Sequence, residues 1–227
     1  MSTFPAPIIA YAENMRLICS LFLGLMMWAP LTRMQVRKLA EIVDGRYDSL
    51  SSLRAHFVEI YSQSGERKVE SGRLYLKPGR MRWDYRQPRR KLFLVTAHRV
   101  WLYVEGEHQA QVTPLKKLAD LRSPLRFLLG HTHLERELKG LSYGGLAPLR
   151  AGDVVLRGRP QGLGEGIREV LLEISPDYDI RRIVIRQQDG GQTDLRFSRI
   201  EANHRLPRGL FHFHPPAGVR VVPGTMP

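Results

Sequence analysis

At 227 residues, with 43% hydrophobic and 25% charged side chains, the chain is long enough to bury a substantial core and does not have the composition of a disordered segment. Lys and Arg outnumber Asp and Glu by 35 to 22, a formal net charge of +13, which favours anionic partners without choosing between a membrane surface and nucleic acid. The single cysteine, Cys19, excludes a disulfide framework and a cysteine-based zinc cluster, and leaves the chain beyond it without a thiol nucleophile.

Cys19 lies in the apolar run Leu17 to Ala29, which follows Met15-Arg16. A positive residue before about a dozen apolar ones is the pattern of a secretory signal segment, and the run is short for a membrane span. Export is therefore the preferred reading, ahead of an uncleaved anchor and, last, a buried core helix, with residues 17–29 as the h-region and residues 1–34 as an N-terminal extension. Residues 35–227 read as one domain.

Val36, Leu39, Val43, Tyr47 and Leu50 are spaced three or four apart, with Arg37, Lys38, Glu41 and Asp44 between them, which predicts an amphipathic helix over Val36 to Asp48. From Leu53 to Val112 the period becomes two: Leu53, Ala55, Phe57; Leu74, Leu76; Met81, Trp83, Tyr85; Leu92, Leu94; Trp101, Tyr103. Turn residues at Ser64-Gly65, Pro78-Gly79, Gln87-Pro88 and Gly106 separate these runs and make them an antiparallel meander. Ser123, Pro124 and Gly130 are placed as N-cap, first residue and terminator of a short apolar helix containing Phe127. After a Gly- and Pro-containing segment, alternation resumes at 153–158, 168–175, 180–188 and 193–201. The fold class is mainly β with helices. About ten antiparallel strands in one sheet must curl to hide their edges, and a curved half-barrel with a helical lid satisfies this.

In Arg80 to Arg86, the residues Met81, Trp83 and Tyr85 share one face, and Arg80, Arg82, Asp84 and Arg86 the other. This is also the arrangement of an ordinary core strand. The stretch Lys77-Pro-Gly-Arg-Met-Arg-Trp83, then Lys91 to Val95, Val100 to Val104, Ser123 to Gly130 and Phe211 to Val222, resembles in order and wording the LolA family of outer-membrane lipoprotein carriers. The likeness runs from Val36 to Val222. It implies a periplasmic carrier and not an enzyme: an incomplete barrel whose concave face, lidded by helices, receives lipoprotein acyl chains. On that reading Leu74, Leu76, Met81, Trp83, Leu92, Trp101 and Phe127 line the acyl cavity, and Lys77 or Arg80 stands at the rim where loading is controlled. The implied partners are acylated lipoproteins, an inner-membrane lipoprotein-releasing transporter and, where the organism has one, a receptor lipoprotein in the outer membrane. The basic surface adds transient contact with anionic membranes. No cofactor is implied, and a monomer is the default for a shuttle.

The rival chemistries are weaker. His131-Thr-His133 and His212-Phe-His214 have ligand-like spacing, but in the second pair alternation turns Phe211 and Phe213 inward and both histidines out, and no carboxylate or cysteine lies close in sequence to complete a site. There is no Gly-x-Ser-x-Gly elbow, and Gly162 to Gly166 lacks the Lys-Ser/Thr of a phosphate loop. The basic residues are spread along the chain and the aromatics alternate inward, which argues against nucleic-acid binding. A lipid- or lipoprotein-sensing module of the same fold is the remaining alternative.

Overall fold

The structure, a computed structural model, describes residues 33–115, 133–161 and 166–224. The export segment, the helix around Phe127, and His131 lie outside them.

The first element is a helix, α1 (33–48), whose inward face is Val36, Ala40, Val43 and Tyr47, all at most 5% exposed. Their spacing of four, three and four residues is the helical stripe, with Ala40 taking the central position and Leu39 at its margin. The chain then makes the meander: β1 (Leu53–Gln63), β2 (Glu66–Lys77), β3 (Arg80–Gln87), β4 (Lys91–Val95), β5 (Arg99–Val104) and β6 (Gln109–Pro114). A four-residue helix, α2 (Leu134–Glu137), leads into β7 (Leu138–Tyr143), β8 (Val154–Pro160), β9 (Ile167–Ile174), β10 (Ile180–Gln187) and β11 (Gln192–Ala202), and β12 (Arg220–Pro223) follows.

These twelve strands form one sheet in the order β12-β6-β5-β4-β3-β2-β1-β11-β10-β9-β8-β7. The two meanders are zipped together by the long antiparallel β1–β11 pair. Two strands exceed the sequence expectation of about ten. β7 falls in a segment rich in Gly, and β12 is only four residues long and pairs in parallel with β6, the one departure from an otherwise antiparallel sheet. β7 and β12 are not paired with each other, so the sheet is unclosed.

At about 4.8 Å per strand, twelve flat strands would span roughly 50 Å. Yet inward side chains from β1 to β5 and β7 to β11 pack in one cluster with Val36, Ala40, Val43 and Tyr47 of a single helix. One helix can meet both halves only if the sheet curls around it, so the face carrying α1 is the concave one. The helix is fixed there at several points. The Tyr47 hydroxyl accepts the Ile180 N–H at 3.0 Å, and Arg46 pairs with Asp179 at 2.9 Å. Arg37 meets Glu135 at 3.0 Å.

Curling requires local relief. Gly72 sits between Phe57 and Tyr85 in register, where a Cβ would lie 2.1 Å from the Asp84 carbonyl oxygen. With no side chain in the way, the Phe57 and Tyr85 rings close edge-to-face over it, their centroids 4.9 Å apart.

The outer face carries two smaller clusters. The segment 203–219 lays Leu206 and Phe211 over Leu92 and Leu94, with Trp101, Tyr103 and Phe213 around them. Phe211 is buried while His212 and His214 are exposed, as alternation predicted. Arg82 anchors this segment by donating to the Leu210 carbonyl at 2.7 Å. The second cluster is Val155, Leu171 and Val184, covered by Leu146.

Candidate functional site: the concave face

The register decides which predicted residues meet. Leu76 pairs with Met81, which pairs with Val95, and Leu74 pairs with Trp83, which pairs with Phe93; directly opposed residues share a face. Leu74, Leu76, Met81 and Trp83 are therefore neighbours on the concave side, each at most 2% exposed, in the cluster shared with α1.

Leu92 and Trp101 are not with them. Leu92 opposes Asp84, and Trp101 opposes Leu94, which opposes Arg82; both rows belong to the outer face. The physical reason is that β4 and β5 are apolar on both sides. Leu92 and Leu94 pack under the 203–219 segment, while Phe93 and Val95 face inward, so alternation alone could not orient these strands. Lys77 and Arg80 oppose each other across the Pro78-Gly79 turn, in the outward row that continues through Tyr75 and Arg82. They mark the hairpin tip, beside the concave face and not on it. Phe127 lies outside the described residues.

The concave surface is strongly aromatic. Phe57 meets Trp83 at 4.6 Å edge-to-face, Tyr85 lies 6.3 Å from Trp83, and Phe197 approaches from β11 at 6.1 Å. The indole N–H of Trp83 is buried without a hydrogen-bond partner among the described residues, an open donor on an otherwise apolar surface.

At the far end of β1 the same face turns polar, which the sequence reading missed. Glu59 accepts the Tyr85 hydroxyl at 2.8 Å, Lys91 donates to Glu70 at 2.5 Å, and the Lys91 ammonium stands 3.9 Å over the Tyr85 ring. Burial raises the Glu59 carboxyl above the usual carboxylate range, against the Tyr85 hydrogen bond that lowers it. The signal was present: Glu59 continues the inward parity of Leu53, Ala55 and Phe57.

Between the start of α1 and the edge strand β7 a recess of about 690 Å³ opens to the surface. Val36, Leu138 and Leu141 form its apolar wall, and Arg33, Arg37 and Glu135 its charged margin. Val36 and Leu138 also belong to the main core cluster, so the recess borders the packed concave interior. A groove of similar volume on the outer face has mixed walls, with Arg82, Asp84, Arg86, Arg90 and Glu105 on one hand and Leu92, Tyr103 and Phe213 on the other. Among the described residues no cluster of three metal ligands occurs, and no helix is long and apolar enough to cross a membrane.

The sequence matches the family described as outer membrane lipoprotein carrier protein LolA over residues 48–214. The chain belongs to the LolA family. The outer-membrane lipoprotein carrier protein of Chromobacterium violaceum is 30% identical over 199 residues, covering 86% of this chain and 91% of that one. The protein of the same name from Methylobacillus flagellatus is 29% identical over 182 residues, covering 78% and 84%. In fold, this LolA-family chain is similar to an uncharacterized conserved protein from Thermus thermophilus, with a TM-score of 0.55 at 17% identity over 82% of this chain and 99% of that one.

Proposed function

We propose that this protein is a periplasmic carrier that buries lipoprotein acyl chains against the concave face of its open sheet and takes them from the inner to the outer membrane. The observation that carries the reading is the continuity of one apolar surface. Leu74, Leu76, Met81 and Trp83 share a cluster with Val36 and Leu138, which line a recess open at the unpaired β7 edge. An acyl chain needs such a surface with a way in, and a closed barrel or a solid core lacks it. The orphaned Trp83 donor suits the ester or amide carbonyl at the head of an acyl chain.

The energetics define the partners. Burial is worth about 0.8 kcal/mol per methylene, so two or three chains of about fourteen methylenes gain roughly 20 to 30 kcal/mol relative to water, at or above the limit of non-covalent affinity. Release into water is excluded on that scale, whereas exchange with a bilayer, which buries the same methylenes, is nearly neutral. The carrier therefore works between an energised donor in the inner membrane, a lipoprotein-releasing transporter, and an acceptor at the outer membrane. Nothing in this cycle requires covalent catalysis.

Native mass spectrometry of the protein recovered from periplasmic extracts tests the proposal. Adducts with the mass of an acylated lipoprotein are expected. A bare chain that also fails to release lipoproteins from energised inner-membrane vesicles would overturn it.

A further inference from the structure

A second, unassigned site lies on the opposite face of the sheet. On the outer side of β1, Arg54 opposes Tyr75 and His56 opposes Arg73 of β2; across the other edge Arg54 opposes Glu201 and His56 opposes Ser198 of β11. Between those two pairs β11 bulges, and Arg199 in the bulge has φ of 50°, left-handed backbone that an arginine adopts only at a cost. A bulge re-aims a side chain. Arg199 here lines a recess of about 240 Å³ together with Arg54, His56, Arg73, Tyr75 and Glu201.

The charges in this recess do not cancel. Three arginines face one carboxylate, and Glu201 is already engaged by Arg54 at 2.6 Å. Arg73 opposes Asp84 in register, but Asp84 is taken by Arg82 at 2.8 Å. Neither Arg73 nor Arg199 has a carboxylate partner among the described residues. Farther along this outer face, on β10 and β11, the arginines do have carboxylates: Arg182 and Arg196 both bind Asp194, Arg181 binds Asp153, and Arg186 binds Glu169. Arg73 and Arg199 thus share one recess without a carboxylate of their own.

We propose that this recess is a binding site for a phosphate group, held by the guanidinium groups of Arg73 and Arg199 with Arg54, and with His56 and the Tyr75 hydroxyl as further donors. Guanidinium forks match the geometry of a tetrahedral oxyanion, and several converging on one recess supply charge-assisted hydrogen bonds to it. The phosphate belongs either to the headgroup of an anionic phospholipid or to free inorganic phosphate. Bound through a headgroup, the protein would meet a bilayer with its outer face, leaving the concave face free.

His56 serves as the reporter. Burial and the surrounding Arg199, Arg73, Arg86 and Arg54 hold its imidazole below its ordinary value, so an anion in the recess should raise its titration midpoint. The test follows the His56 imidazole by NMR in the full chain, assigned with His56→Gln, at constant ionic strength in chloride, in inorganic phosphate, and with vesicles of phosphatidylcholine alone or with added phosphatidylglycerol. The expected result is an upward shift with phosphate or with phosphatidylglycerol vesicles, but not with chloride or phosphatidylcholine alone. A shift with vesicles at lipid concentrations where inorganic phosphate does nothing assigns the headgroup, and the reverse assigns the free anion. Arg199→Gly, which accepts the left-handed backbone without strain, and Arg73→Gln should each weaken binding about tenfold. An unmoved His56 midpoint in every medium, or wild-type binding by both folded variants, overturns the proposal.

Discussion

Asp44 of α1 accepts the backbone N–H of Leu134 with both carboxylate oxygens, at 3.0 and 3.2 Å, and so ties the lid helix to the start of α2. Burial pushes its carboxyl up to about 6, outweighing the Leu134 hydrogen bond and the nearby His133, which act to lower it. A raised folded pKa means that the stabilising contribution is complete below about pH 4 and is lost as pH rises through about 6. Asp44→Asn keeps an acceptor without the buried charge. In urea melts, the stability of the native chain relative to this variant should therefore fall between about pH 4 and pH 7.5; a constant difference would show that Asp44 does not titrate in this window.

The two faces of the β3–β4–β5 region should respond differently to truncation. Met81→Ala on the concave side and Leu92→Ala on the outer side each remove a buried side chain and should each cost about 2–4 kcal/mol. Only Met81→Ala should also change the affinity for a fluorescent acyl chain. Equal effects on binding would place the ligand outside the concave interior.

How far the sequence disclosed this depended on contrast between the two faces of each element. β3 has Met81, Trp83 and Tyr85 against Arg80, Arg82, Asp84 and Arg86, and its orientation was legible at once. β4 and β5 are apolar on both sides because the 203–219 segment adds a second covering layer, so Leu92 and Trp101 could be placed only by register. β12 pairs with β6 across more than a hundred residues and has no periodicity of its own to announce it. The cationic recess was hidden for a similar reason: Arg54, Arg73 and Arg199 are far apart in sequence, and the bulge that aims Arg199 has no local signature.

The Asp194 network should be the outer face's main electrostatic support. Arg182 donates to both Asp194 oxygens at 2.8 Å, and Arg196 donates twice to one of them, at 2.8 and 3.2 Å. Burial alone would raise the Asp194 carboxyl, but the hydrogen bonds from Arg182 and Arg196 outweigh it and hold it below its ordinary range. With a depressed folded pKa, its contribution is present above about pH 4 and is lost as pH falls through the lower folded value. Asp194→Ala leaves the nearly buried Arg182 only its longer contact with Glu173, at 3.8 Å, and should cost about 3 kcal/mol at pH 7, with less effect in acid. Denaturant melts at both pH values measure it.

Gly72→Ala should be among the most damaging single-methyl additions. The new Cβ would meet the Asp84 carbonyl and the Tyr85 Cα, both backbone atoms that cannot rotate away. A loss of about 3 kcal/mol, seen as a lowered thermal midpoint, is expected. A neutral result would mean that the β2–β3 pairing, whose register shifts between Ser71 and Gly72, rearranges readily.

Methyl NMR of the protein labelled at Leu and Met methyl groups, titrated with a diacylated lipopeptide, tests the central claim most directly. The account predicts that the methyl signals of Leu74, Leu76 and Met81 shift on binding while those of Leu92, Leu94 and Leu206 stay in place. Shifts confined to the outer-face leucines, or no response from Met81 under saturating lipopeptide, would contradict the assignment of the concave face as the acyl-binding surface.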